Sequence, residues 1–554
     1  MLGLFLLLYG IAKVGTGFFV AFKPPSITPT VSLDPINLPY YAARSSIRMF
    51  IGLGASILFT LAYGYACAKS RQAEKLLIPV LDILQSVPIL GFLSVTVTGF
   101  IAMFPGSLLG LEFASIFLVF TSQAWNMTFS FYHSLITIPR ELDEAAKIFG
   151  LSKWRRFKTI EVPAAMIGLV WNAMMSFGGG WFFVVISEAI SVGKQNYTLP
   201  GIGSYVKTAV DAGNLSALGW AVLTMAAVIV LVDQLFWRPI VAWSEKFKLE
   251  RSAAADPPQS WVLDLIRASK IPRQMSRWYR HLLRRIPRVR IKWPKLDVSG
   301  LRRRARPRIN EDIAYGVVIG ALLIVGLLKG GEFVAKEVKI HEVLLCFELG
   351  FLTLIRVLVL VALATIVWTP IGVAIGFNPK LARASQPVVL FLASFPAYFI
   401  FPVATVLFLR FHISLNFGSI ILMALGAQWY ILFNTIAGAM SVPTDLREMA
   451  ENLAVKKWQL WRKLIIPAIF PAWVTGAITA SGGAWNASIV AEVVTWKGKK
   501  LEASGLGAYI TNLDTTDWPR IVLGVTVMSM FVVIINRFFW RKLYTLAENR
   551  YRLG

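Results

Sequence analysis

Arg48, Glu188, Arg356 and Glu492 are full charges set at the edges of long apolar stretches. An ionisable side chain beside hydrocarbon is costly unless it is paired or meets a charged solute. The two glutamates are 304 residues apart and the two arginines 308, so the four residues form two equivalent sets. We expect Arg48–Glu188 and Arg356–Glu492 ion pairs bracing two similar units; solute contact is the alternative role for the carboxylates. Further polar and aromatic residues share these stretches: Gln123, Trp125, Asn126, Trp181 and Ser187, then Gln428, Trp429, Trp485 and Ser488. They are candidates to line a passage. Each Trp could instead pack or anchor at a membrane interface, and the amides could bond helix to helix.

Patterns for covalent chemistry are missing. The sequence has no GxxxxGK[ST] phosphate loop, no HExxH and no zinc-type CxxC. His133, His281, His341 and His412 are scattered, and Cys67 and Cys346 lie in or near apolar runs. The chain is therefore read as no enzyme by itself, with no cofactor or metal of its own.

The elements that must position these residues are transmembrane helices. Of 554 residues, 56% are hydrophobic, and the apolar runs each approach the roughly 20 residues that cross a bilayer. Spans are expected near 1–22, 47–68, 76–101, 107–130, 165–188 and 216–237. Six more are expected near 313–330, 344–376, 387–409, 417–440, 469–492 and 519–540. The ten-residue alternation of a membrane barrel is missing, so the expected fold is an all-α integral membrane protein of about 12 helices. Residues 1–22 lack a basic start and a small-residue cleavage site, and are taken as a retained helix.

Charge gives orientation. Between Arg251 and Asn310 stand 17 Lys/Arg against three Asp. Flanked by membrane spans, this run reads as a cytoplasmic loop near anionic lipid, not as a nucleic-acid site. Alternation then places 69–75, 131–164, 377–385, 441–468 and both termini in the cytoplasm of a multi-pass membrane protein.

The two sets of charges belong to a tandem repeat. At a shift of 304, Pro139, Leu142, Glu144, Ala146, Lys153, Trp154 and Pro163 meet identical residues, as do Gly178, Gly179, Trp181, Gly201, Gly203 and Tyr205. At 308, Arg48, Pro79, Ser86 and Pro88 do the same. The expected organisation is a first six-span repeat over 1–243, a basic linker over 244–312 and a second repeat over 313–554. Both copies run the same way, with a passage between them. Ser86-Val87-Pro88 and Ser394-Phe395-Pro396 are expected to kink the third spans. Segment 261–285 could form a basic amphipathic helix on the inner leaflet or stay a tether.

Residues 139–163 and 443–467 are polar turns between spans. Pro139 permits a helix start, with Glu141, Asp143 and Glu144 at its positive end. Gly150 ends that helix, and a second short one carries Trp154 and Phe157 at i, i+3. The exposed aromatic edge calls for a partner groove.

Glu144-Ala145-Ala146, three residues, Gly150, nine residues and Ile160-Glu161-Val162-Pro163 resemble the EAA loop of ABC importer permeases of the binding-protein-dependent type. The second copy departs from the pattern, with Met449 inside Glu448-Met449-Ala450, Ala454 for the Gly and Leu464 for the Ile. The resemblance covers roughly 45–240 and 345–545. It implies that Glu144, Ala145, Ala146, Gly150, Trp154 and Phe157 couple to one ATP-binding subunit, and Glu448, Ala450, Ala454, Trp458 and Trp461 to another. It implies two such subunits, alike or different, that carry the ATP and Mg, and an extracytoplasmic substrate-binding protein. The regions around Trp181 to Tyr205 and Trp485 to Tyr509 are similar to nitrate, sulfonate and taurine permeases. That implies inward movement of a small solute, with anions such as nitrate, sulfonate, taurine or bicarbonate as candidates. Fused iron and thiamine permeases are the alternative within the family. An ion-driven secondary transporter and a membrane scaffold are the rivals outside it.

Overall fold

The computed structural model describes residues 29–192, 195–247, 260–269, 331–332, 335–513 and 517–551. Residues 232–337 form one compact unit, and the remainder, holding both repeats, forms the other. The spans expected over 1–22 and 313–330 lie outside the described residues, as does most of the basic run.

In the first repeat, Asp34 caps a short Pro35–Asn37 turn that launches α1, Leu38–Lys69. Next come α2 (Arg71–Ser86), α3 (Leu93–Met103) and α4 (Leu109–Ile136). A polar helix, α5 (Arg140–Ile148), precedes α6, which runs unbroken from Lys153 to Glu188. A hairpin of β1 (Ala189–Val192) and β2 (Gln195–Thr198) leads to α7 (Ile202–Ala212) and α8 (Leu215–Val232). Among the described residues the other unit includes the short helices α9 (Arg238–Ser244) and α10 (Trp261–Ala268).

The second repeat follows the same order. It has α11 (Ile340–Gly376), α12 (Pro379–Ser394), α13 (Phe401–Phe411), α14 (Leu415–Met440) and α15 (Thr444–Asn452). Then come α16 (Lys457–Ala491), β3 (Val493–Trp496), β4 (Lys499–Glu502), α17 (Leu506–Asn512), α18 (Trp518–Ile535) and α19 (Arg541–Arg550). Among the described residues seven helices are long and apolar enough to cross a membrane. The fold is all-α but for the two hairpins.

Two features differ from the sequence reading. The third spans are broken outright, not kinked: α2 stops at Ser86 and α12 at Ser394, and a 3-10 turn separates each from the next helix. Pro88 and Pro396 lack the amide that would continue the helix. The second short helix of each turn is no separate element either. It passes through a π-helical segment, Phe157–Glu161 or Trp461–Ile465, straight into the following span.

Within each repeat the core is a three-helix stack, α1–α4–α6 in one and α11–α14–α16 in the other. Small residues let these backbones approach. A Cβ on Gly52 would lie 2.5 Å from Val119, and one on Gly372 2.9 Å from Thr435.

Candidate functional site

Where α6 meets the hairpin, Glu188 is fully buried and its carboxylate collects donors. Ser45 Oγ and Arg48 Nη1 each donate to Oε1 at 2.6 Å, and the Gly203 amide donates to Oε2 at 2.8 Å. Ser45 in turn accepts from the Ile202 amide, and Arg48 Nη2 donates to the Pro200 carbonyl. Glycine is required here by space: a Cβ on Gly201 would sit 2.2 Å from the Glu188 carboxyl carbon, and one on Gly203 1.9 Å from the Val185 carbonyl oxygen. The Gly-x-Gly pattern thus lets a helix N-terminus close over a buried carboxylate, a favourable place for negative charge.

The second repeat builds the same clamp. Thr353 Oγ1 and Arg356 Nη1 donate to Glu492 Oε1 at 2.8 Å each, the Ala508 amide donates to Oε2, and Leu506 donates to Thr353. Gly505 stands against the Glu492 carboxylate as Gly201 does against Glu188.

The clamps differ by one coordinated exchange. In the first, Glu112 accepts from Arg48 Nε at 2.6 Å and from Arg44. All of these side chains are buried. In the second, position 416 is Asn and position 352 is Leu; Asn416 Oδ1 accepts from Arg356 Nη2 at 2.9 Å and from the Ser504 amide. One cation and one anion are lost together, so both clamps stay neutral. A lone deletion would strand a buried charge.

A second exchange lies at the base of the turns. Glu161, buried, accepts from Lys69 Nζ at 2.5 Å and pairs with Arg156 Nε at 2.9 Å. The equivalent positions are Ile465, Phe377 and Leu460, which pack in one apolar cluster with Val373 and Trp461. An ionic support in one repeat is an apolar support in the other.

Between the repeats lies a cavity of about 650 Å³. The broken third spans meet the opposite repeat at its wall. The Ile89 amide donates to Asn486 Oδ1 at 2.8 Å, and Gly178 abuts Ser394. At the hairpin end the repeats also touch: the Lys497 side chain lies where a Cβ on Gly213, the left-handed cap of α7, would be.

The turns carry exposed apolar surface in matching places. Trp154 is 70% exposed and Trp458 72%, flanked by Phe149 and Leu453. Gly150 has φ +59, and Ala454 holds the same left-handed conformation at φ +48.

A family model described as the binding-protein-dependent transport system inner membrane component matches residues 59–236 and 347–544, one match per repeat. The chain belongs to that family. Its similarity to curated relatives is distant. The bicarbonate transport system permease protein CmpB of Synechococcus elongatus is 27% identical over 178 residues, 32% of this chain and 61% of that protein. The nitrate import permease protein NrtB of Synechocystis is 26% identical over 203 residues, 36% of this chain and 70% of that protein. The osmoprotectant import permease protein OsmY of Salmonella typhimurium is 28% identical over 119 residues, 21% of this chain and 48% of that protein. The chain thus spans about three fifths of CmpB.

In this chain the candidate residues separate into groups. Arg48, Glu188, Arg356 and Glu492 form the two clamps, away from the cavity wall. Of the other passage candidates only Trp125, Asn126 and Trp485 line the cavity. Gln123 and Trp181 are buried behind it, the latter against Phe177. Ser187 bonds Ser115 at 2.6 Å, and Ser488 donates to the Trp485 carbonyl. Gln428 accepts from Trp368, which packs against Trp429.

On the turns, Glu144, Gly150, Trp154, Glu448, Ala454 and Trp458 are exposed, Ala145 and Ala450 half-buried and Ala146 buried. Phe157 and Trp461, expected on the docking edge, are half-buried. Phe157 packs edge-on against Tyr65 at 5.1 Å, and Trp461 lies in the apolar cluster of its own repeat. These contacts fasten the turn to the bundle, and each ring stays partly exposed. Residues not singled out from sequence include Arg44, Glu112 and Asn416, along with Asn172, Tyr430, Asn434 and Asn486 on the cavity wall. Ser45 and Thr353 were within reach, because each stands three residues before its arginine in both copies.

Proposed function

We propose that this chain forms the whole membrane passage of an ABC importer, with each repeat taking the place of one permease subunit. The observation that carries the reading is the pair of exposed aromatic turns at equivalent positions. Trp154 with Phe149, and Trp458 with Leu453, seat in the clefts of two ATP-binding subunits, alike or different, which hold ATP and Mg. A substrate-binding protein delivers solute at the hairpin end. The turns, both termini and the basic run over 244–312 face the cytoplasm of a bacterial inner membrane, with the basic run against anionic lipid. ATP-driven approach of the two subunits draws the turns together and switches the cavity from one side to the other. The names of these relatives divide between bicarbonate or nitrate and an osmoprotectant. The test is copurification of the chain with its ATP-binding subunits. Trp154→Ala with Trp458→Ala is expected to lose them while the chain stays folded; a folded double variant that keeps them refutes the docking surface.

A further inference from the structure

Helix α10, Trp261–Ala268, carries apolar side chains on more than one side. Val262 and Leu263 are half-buried, and α10 lies against α9. Trp261, Leu265 and Ala268 stand at i, i+4 and i+7, so they form one stripe along the helix, and all three are exposed. Trp261 is 59% exposed and Leu265 62%. Asp264 and Arg267 lie on one side of the stripe and are exposed as well, so the polar groups can stay in water. Leaving the stripe itself in water costs free energy, and covering it recovers that cost.

The level at which α10 sits follows from the helix it packs on. The helix that contains α8 and α9 runs on from Leu215 to Phe247, 33 residues, where about 20 suffice to cross the hydrocarbon. Its charged part begins at Asp233 and Arg238, an ion pair with Nε to Oδ2 at 3.0 Å, so the end that projects is the one that holds α9. There the Lys246 ammonium stands 4.0 Å from the centre of the Trp243 ring, and Phe247 packs edge-on against that ring. An indole beside an ammonium suits the boundary between headgroups and acyl chains. Held against α9, the exposed stripe of α10 is at that boundary too.

The residues that follow give the sign of the surface. Between 270 and 310 the sequence has 15 Lys/Arg against one Asp, a charge attracted to anionic headgroups. A protein partner is the poorer occupant. A stable protein interface buries about 800 Å² on each side, and three side chains in a row cannot supply that. A bilayer asks only for depth, since interfacial helices sink their apolar edge about 5–10 Å below the headgroups.

We propose that α10 is an interfacial anchor, with Trp261, Leu265 and Ala268 entering the inner leaflet of an anionic bilayer. The proposal rests on the importer reading only for the side of the membrane.

The test uses the full chain in nanodiscs of phosphatidylcholine with a quarter phosphatidylglycerol. A nitrobenzoxadiazole label is placed at Trp261→Cys and, independently, at Leu265→Cys. Both native cysteines are buried. The control is Glu451→Cys, exposed on the polar helix α15. Each label is quenched from the lipid, by a nitroxide high on the acyl chain, and from water, by iodide. At its present exposure either side chain alone favours lipid over water by at least about fivefold, so each single variant keeps half of the anchor. The ratio of lipid to iodide quenching is expected to be at least about fivefold higher at 261 and 265 than at 451. Lipid quenching at both sites no greater than at 451 overturns the proposal, whether iodide takes its place or protein shields the stripe from both quenchers. Failure of the ATP-binding subunits to copurify would instead sink the importer reading and leave these ratios unchanged.

Discussion

Replacing Glu112 with Asn should unfold the first clamp, and adding Arg44→Leu should restore it. In the native chain Arg44, Arg48, Glu112 and Glu188 make a neutral buried group. Glu112→Asn alone leaves two guanidiniums facing one carboxylate, with Arg44 and Glu112 each only 1% exposed. Removing one partner of such a pair costs about 3–5 kcal/mol, whereas replacing the pair by groups of matching shape is near neutral. The second repeat already holds that replacement, as Leu352 and Asn416 around Arg356. The double variant should therefore lie within about 1 kcal/mol of wild type; with Arg44→Leu alone costing about as much as Glu112→Asn, the coupling in a double-mutant cycle is at least about 5 kcal/mol. The assay is denaturant titration of the purified chain in mixed micelles, followed by tryptophan fluorescence. A double variant as unstable as Glu112→Asn, or a harmless Glu112→Asn, would refute charge balance as the organising rule.

Other outcomes follow from the same geometry. Ala454→Gly should stabilise the second turn by up to about 1 kcal/mol and Gly150→Ala should weaken the first by about 1–2 kcal/mol, because both positions hold a left-handed backbone; hydrogen exchange of the turns reads both. Gly203→Ala should abolish the folded chain, since its Cβ would fall 1.9 Å from a carbonyl oxygen, and size-exclusion yield in detergent measures that. Glu161→Ile alone should cost about 3 kcal/mol, but the triple Lys69→Phe, Arg156→Leu, Glu161→Ile should return to near wild-type stability, read by the same denaturant titration. Phe157→Ala should destabilise the chain by about 3 kcal/mol while leaving ATPase docking per folded molecule unchanged, which a pull-down normalised to folded protein would show.

The repeat makes some of the architecture legible from sequence and hides the rest for a physical reason. Arg48, Glu188, Gly201 and Gly203 stand out because each returns at a fixed shift. Arg44 and Glu112 do not, because their counterparts changed together, and comparing two copies discards whatever does not recur. The same holds for Lys69, Arg156 and Glu161 against Phe377, Leu460 and Ile465. Spacing also gives a side chain's direction around a helix and not its depth: Phe157 shares a face with Trp154, but one turn nearer the bundle Tyr65 covers it. The hairpins escape notice because four-residue strands are too short to show alternation.

The unbroken course of α6 has a mechanical consequence. Its 36 residues span about 54 Å at 1.5 Å per residue, from the turn to the residue held in the first clamp. Pushed at the turn, such a rod would act as a lever about Glu188. Trp154 stands about 51 Å from the pivot and Gly178 about 15 Å. A push that moves the tryptophan by about 6 Å would swing Gly178, at the seam with Ser394, by about 2 Å. A stroke of several ångströms at the turn would thus arrive at the seam as a displacement near the radius of one atom.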